Sequence, residues 1–206
     1  MTSAFTTKLV DFANDEWDFF GRQEWRLDGT VRDGKKEYQD GAWQRVGDYW
    51  RFIGQTYPSY ANLTGKDRGY PWSAAFISYC MSDAGAGTKF PYSPGHATYI
   101  NKAISNAKNG TANAAIVGHK PTGYTLKPGD LIGYWRGDVA VTYDKALQIG
   151  WYTSHTDVVV EVGNKWAKSI GGNVGHSVTK REVRLSAGGN LTDTSENWFV
   201  VIENKL

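Results

Sequence analysis

Tyr70-Pro71-Trp72-Ser73-Ala74-Ala75-Phe76-Ile77-Ser78-Tyr79-Cys80-Met81 is the stretch on which the reading of this chain turns. Pro71 disfavours helix in the residue before it, and Ser73 suits an N-cap or a first turn. Ala74, Phe76, Ile77, Cys80, Met81 and Ala84 then recur at helical spacing, and Gly85 or Gly87 supplies the stop. A small hydroxyl side chain therefore stands where a buried helix begins. Orphan N–H groups and the positive end of the helix dipole favour negative charge there. The position suits a nucleophile, and it is more often simply that of a cap. Cys80 falls about 10 Å further along the axis at 1.5 Å per residue, so it reads as a core residue and not as the nucleophile.

Upstream, Phe5, Leu9, Phe12, Ala13, Trp17 and Phe20 predict a helix over 3–20, and Trp43, Val46, Tyr49, Trp50 and Ile53 predict another over 41–56. Between them, residues 22–40 read as a surface loop carrying the Asp28-Gly29 and Asp33-Gly34 turn signals. Downstream, Phe90-Pro91-Tyr92-Ser93-Pro94-Gly95 cannot be helix or central strand, and a helix opens at His96 and runs to Lys108. The period then changes to alternation. Lys127-Pro128-Gly129-Asp130 is a turn feeding a strand over 131–135, with Asp130 fixing the turn. His155 to Val162 is the strongest strand, followed by one over 165–170 that Gly171-Gly172-Asn173-Val174 breaks. Further strands are expected over 177–185 and 198–204. Helices first and antiparallel strands afterwards predict an α+β fold in a single domain over 1–206, with 1–40 as a helix-and-loop extension.

Composition narrows the function classes. A formal net charge of +2 gives no footprint for nucleic acid. No apolar run reaches the length of a membrane span, and the N-terminal residues lack the apolar region of a Sec signal. A single cysteine excludes an internal disulfide, and with four scattered histidines no metal site and no cofactor is expected.

Nucleophilic hydrolysis needs a nucleophile, a base within hydrogen-bond reach, and a group that orients the base. Ser73 at the helix start, His155 at the head of the strongest strand and Asn173 after the paired glycines form such a set. Asp157 is the second candidate for the orienting role, because residues i and i+2 of a strand share a face. Trp72, Tyr92, His96 and Trp135 stand beside these segments and could wall a substrate groove.

Pro71-Trp72-Ser73-Ala74-Ala75-Phe76-Ile77-Ser78, Phe90 to Ile100, Pro128-Gly129-Asp130-Leu131 and Ile170-Gly171-Gly172-Asn173-Val174, in that order, resemble DUF2272-type proteins of the NlpC/P60–CHAP cell-wall hydrolase superfamily. The resemblance covers roughly residues 40–185. It implies a papain-like fold, with helices packed on a C-terminal antiparallel sheet, and an amidase or endopeptidase acting on peptidoglycan peptides. It departs from the superfamily at the helix start, where Ser73 replaces the usual cysteine, so the histidine must take the hydroxyl proton during attack. Such an enzyme without a Sec signal fits a phage endolysin or an antibacterial effector, acting in the periplasm or cell wall after lysis or secretion. An effector would imply an immunity protein as partner. The alternative is a non-catalytic module that holds wall glycan or peptide on the same scaffold.

Overall fold

A computed structural model describes residues 2–206. Helix α1 spans Ala4–Phe19, and its Ser3 cap accepts a hydrogen bond from the Thr6 N–H at 3.0 Å. Strands β1 (Gln23–Trp25) and β2 (Val31–Arg32) follow, and then α2 (Ala42–Gly54), α3 (Ser73–Asp83) and α4 (Ala97–Lys108). Strand β3 (Ile116–His119) and β4 (Leu131–Trp135) lead through the short α5 (Ala146–Ile149) to β5 (Ser154–Gly163), β6 (Trp166–Val174), β7 (Ser177–Arg184) and β8 (Trp198–Asn204). The class is α+β, as the change of period predicts. None of the described helices is long and apolar enough to cross a membrane.

Eight strands form one sheet in the order β2-β1-β7-β6-β5-β4-β8-β3. All neighbours are antiparallel except β1 and β7, which pair in parallel, so the sheet is mixed and not antiparallel throughout. Strands β1 and β2 form a hairpin in the segment expected to be a surface loop. Its strands are short and polar, and Gln23 and Glu24 are buried by side-chain bonding rather than by apolar alternation. Gln23 Nε2 donates to the Val174 carbonyl at 3.0 Å and to Thr179 Oγ1 at 2.7 Å. A hydropathy period cannot register a strand fixed in that way.

Strand β6 also runs on through Gly171 and Gly172, where a break was expected. Both positions require glycine, for different reasons. A Cβ on Gly171 would fall on Asp157 Oδ1 and lie 2.9 Å from His155 Nε2, while one on Gly172 would lie 2.6 Å from Phe76 Cβ. The pair lets side chains close in on both faces of the sheet. Asn173 then takes φ +57°, the register shifts, and Gly175 and His176 (φ +57° and +60°) form the two-residue hairpin into β7.

The helices cover one face. Helix α3 packs between α1, α2 and strands β5 and β6, and its Ala74, Ala75, Phe76, Ile77, Cys80 and Met81 are all buried. Tyr49 and Phe20 stand against Trp72, with ring centroids 5.7 and 5.9 Å apart, and the Tyr49 and Phe76 rings meet edge-on at 5.6 Å. Phe76→Ala would cost about 3–5 kcal/mol through transfer and cavity terms. Beneath this cluster the buried Glu16 carboxylate is paired with Arg45 and accepts from the Tyr49 hydroxyl, which answers its burial. The opposite face carries a smaller cluster that includes Ile132, Val159, Ala167, Val183 and Val201.

Candidate active site

Ser73 is the first residue of α3; the N-cap is Trp72, and no side chain caps the helix. The capping role open to Ser73 on sequence is therefore not the one it fills. Its Oγ lies 2.7 Å from Nε2 of His96, the N-cap residue of α4. Both residues are buried, at 6% and 5% exposure. Two helix starts on separate segments thus meet through one hydrogen bond. Tyr99, three residues after His96 and on the same side of the first turn, contacts His96 Nδ1 through its hydroxyl. Thr156 of β5 closes the ring of partners, its Oγ1 lying 3.0 Å from both His96 Nδ1 and the Tyr99 hydroxyl.

With a hydrogen on Nδ1, the ring donates to the Thr156 or Tyr99 oxygen, and Nε2 is left to accept from Ser73. That is the tautomer a general base requires. Burial and the neighbouring His155 hold His96 well below the ordinary histidine range, with Asp157 opposing and Arg136 adding to the depression. His96 is therefore neutral at neutral pH.

His155 is not the partner of Ser73. Along β5, Thr156, Val158 and Val160 face the helices, while His155, Asp157 and Val159 face the other way. His155 is wholly buried, its Nε2 lies 2.9 Å from Asp157 Oδ1, and its Nδ1 has no hydrogen-bond partner among the described residues. Its ring still reaches the strand end, 5.1 Å from the His96 ring between centroids. Asp157 Oδ2 accepts from Ser169 Oγ at 3.1 Å and Arg181 Nε at 2.8 Å, and Arg181 Nη1 donates to Glu196 at 2.9 Å. The Arg181 and His155 contacts outweigh desolvation and hold the Asp157 carboxyl far below the usual range, while burial depresses His155. Of the two candidates for orienting His155, Asp157 holds the ring.

Asn173 belongs elsewhere. In the amide orientation that satisfies both ends, its nitrogen donates to Glu37 Oε2 at 3.0 Å and its oxygen accepts from the Trp72 backbone N–H at 3.2 Å. Glu37 also accepts from Trp72 Nε1 at 2.6 Å and sits 2.8 Å from His176 Nδ1. These residues, with Tyr38, Asp67, Arg68, Tyr70 and Pro71, line a cleft of about 530 Å³. It lies directly before Ser73 in the chain.

The four expected groove residues do not make one wall. Trp72 is core with its edge on this cleft, and His96 is the partner of Ser73. Tyr92 packs edge-on against Phe52 at 5.1 Å, and Trp135 lines a separate depression with Trp198 and Phe199. Cys80 and Asp130 are as the sequence suggests. Cys80 is buried, and burial pushes its thiol up. Asp130 accepts from the Lys127 and Asn204 N–H groups, and burial pushes its carboxyl up to about 6.

A family model described as "Uncharacterized protein conserved in bacteria (DUF2272)" matches residues 37–203. The chain belongs to the DUF2272 family. The matched span includes every residue of the Ser73–His96 pair, the cleft and the Asp157 network. Neither the curated proteins nor the solved structures include a match to this DUF2272 chain.

Proposed function

We propose that this chain hydrolyses an amide bond, with Ser73 as nucleophile and His96 as base. The observation that carries the reading is the 2.7 Å bond between Ser73 Oγ and His96 Nε2 at the opening of α3. Ser73 Oγ attacks the carbonyl carbon as its proton passes to Nε2. The oxyanion meets the N–H groups of the first helical turn, which have no intrahelical acceptor. The proton is then delivered to the leaving nitrogen, the C–N bond breaks, and an ester to Ser73 is left. Water hydrolyses that ester by the reverse transfer, which regenerates the hydroxyl. Thr156 and Tyr99 hold the imidazole through hydroxyls in place of a carboxylate.

A nucleophile at a buried helix start packed on a sheet keeps the outline of a papain-like site, with the histidine supplied from α4 and not from the strand. The NlpC/P60-like order of motifs supports bacterial wall peptides as substrate and action in the periplasm after lysis or secretion. An immunity protein would accompany an effector. The second reading is a wall-binding module, supported by the cleft, which does not need the Ser73 hydroxyl.

Purified peptidoglycan incubated with wild type and with Ser73→Ala, followed by mass analysis of released fragments, tests the proposal. Fragments with new termini are expected from the wild type alone. Release by both proteins would remove Ser73 from the chemistry, and release by neither would remove peptidoglycan as the substrate.

A further inference from the structure

We propose that the cleft beside the start of α3 is a sugar subsite, which takes a pyranose ring against the exposed faces of Tyr38 and Tyr70. At about 530 Å³ it falls within the roughly 300–1,000 Å³ of small-molecule sites. Tyr38 and Tyr70 are 58% and 50% exposed at one concavity, although elsewhere in the chain aromatic rings are mostly spent on the core. Such rings offer a flat apolar face with a polar tip. A pyranose presents the complement, a face of C–H groups rimmed by hydroxyls that both donate and accept.

The polar groups of the cleft are arranged for that rim. Glu37 Oε2 is occupied by Trp72 Nε1 and Asn173, and Oε1 has one partner, His176 Nδ1. A carboxylate oxygen has two acceptor sites, so Oε1 keeps one, and its direction is fixed by the bonds on its twin. Asp67 takes the Thr64 N–H and hydroxyl on Oδ2, at 2.7 and 2.8 Å, and keeps Oδ1 as an acceptor. Arg68 adds an exposed donor. Preset acceptors and ring faces cost little to order on binding. An apolar peptide side chain would gain much less from the same groups.

The consequence for substrate rests on the hydrolase reading. Pro71 and Trp72 line the cleft and directly precede Ser73, so a sugar seated there would present the amide linking glycan to peptide, in preference to a bond within the peptide.

The test is calorimetric titration of wild type and Ser73→Ala with the trimer of N-acetylglucosamine, beside a wall stem peptide. Saturable binding of the trimer is expected for both proteins, with a dissociation constant on the order of 1 mM. Tyr70→Ala and Tyr38→Ala should each weaken it roughly tenfold with little change in melting temperature, as for anchor residues of a surface site. No saturable heat with the trimer overturns the inference. So does competition by the stem peptide alone, which would make the cleft a peptide site. The hydrolase reading fails separately: trimer binding without fragment release keeps the sugar site and removes the chemistry on peptidoglycan, and release without binding does the reverse.

Discussion

Two adjacent residues of β5 face two different chemical worlds. On the helix side Thr156 joins a network made of hydroxyls and one neutral imidazole: Ser73, His96 and Tyr99. On the other side Asp157 joins His155, Ser169 and Arg181 in a buried ionic set that continues to Glu196. The first carries no full charge at rest, and burial makes a lasting charge on its imidazole costly. The second holds its charges so tightly that Asp157 has no tendency to gain a proton near neutrality. The contrast separates a neutral pocket at the start of α3 from a buried ionic clamp, although Thr156 and Asp157 are neighbours in one strand.

Breaking the ionic side should produce the largest loss of stability. Asp157→Ala leaves the buried Arg181 with Glu196 as its remaining carboxylate and is expected to cost about 3–5 kcal/mol in chemical denaturation. Arg181→Ala should cost a similar amount. If either melts within 1 kcal/mol of wild type, a threshold set by about one hydrogen bond, the network is not a clamp.

Ser73→Ala acts on the neutral side. It leaves His96 Nε2 without its partner, at about 1–3 kcal/mol, and the loss is not that of a helix cap. Ser73→Gly, which restores no hydroxyl but suits many helix starts, should therefore rescue nothing. Recovery of stability in that variant would reinstate a capping explanation.

The paired glycines test both sides at one point of β6. Gly171→Ala forces a methyl onto Asp157 and His155, and Gly172→Ala forces one onto Phe76 and Trp72; each should cost about 1–3 kcal/mol. The two should differ in activity, since only the second moves the start of α3. Equal kcat loss per unit of stability lost would erase that distinction.

The smallest effects are those of pH. His96 must be neutral to act, and its pKa lies well below 6.5, so turnover should be flat through neutrality and fall only in acid below the ordinary histidine range. A midpoint at or above 6.5 would argue for a different base. Stability has its own sign. His96 and His155 are depressed in the folded state, so the unfolded chain binds more protons below about 6.5 and acid destabilises. Asp130, raised to about 6, works in the opposite direction between about 3.8 and 6, where the folded state binds the extra proton. Asp130→Asn should therefore steepen the loss of stability on acidification across that window.

Much of the fold was legible because it is written in period. The helices over Ala4–Phe19, Ala42–Gly54, Ser73–Asp83 and Ala97–Lys108, and the strands β4, β5, β7 and β8, follow apolar spacing. What escaped was held by side-chain bonds or by the absence of side chains. Strands β1 and β2 carry no apolar alternation, and Gly171-Gly172 looks like a break until the groups crowding both faces are known. At the site, Ser73 was legible from its place at the helix start. Its partner was misread, because the run of valines after His155 does not say which side of the strand the histidine faces. In Ser154-His155-Thr156-Asp157 the valines at 158 and 160 share a face with Thr156, and this turns His155 away from the helix core. That left His96, with Tyr99 one turn on, as the histidine able to meet Ser73. Which valine faces which layer is decided by packing at the far end of the strand, and hydropathy does not record it.

The last strand has a consequence for the order of folding. Residues Trp198–Asn204 lie between β4 and β3, bonded to both. Everything from β4 to β2 can zip through consecutive hairpins and the short N-terminal addition, but β3 can be anchored only after β8 has been threaded into place beside it. Helix α4, which rests on β3 and presents His96, therefore gains its footing late, after closure of a long loop. Refolding followed by backbone signals should run ahead of the appearance of the Ser73–His96 contact, and a chain trimmed before Trp198 should keep most of its sheet while His96 never finds its place.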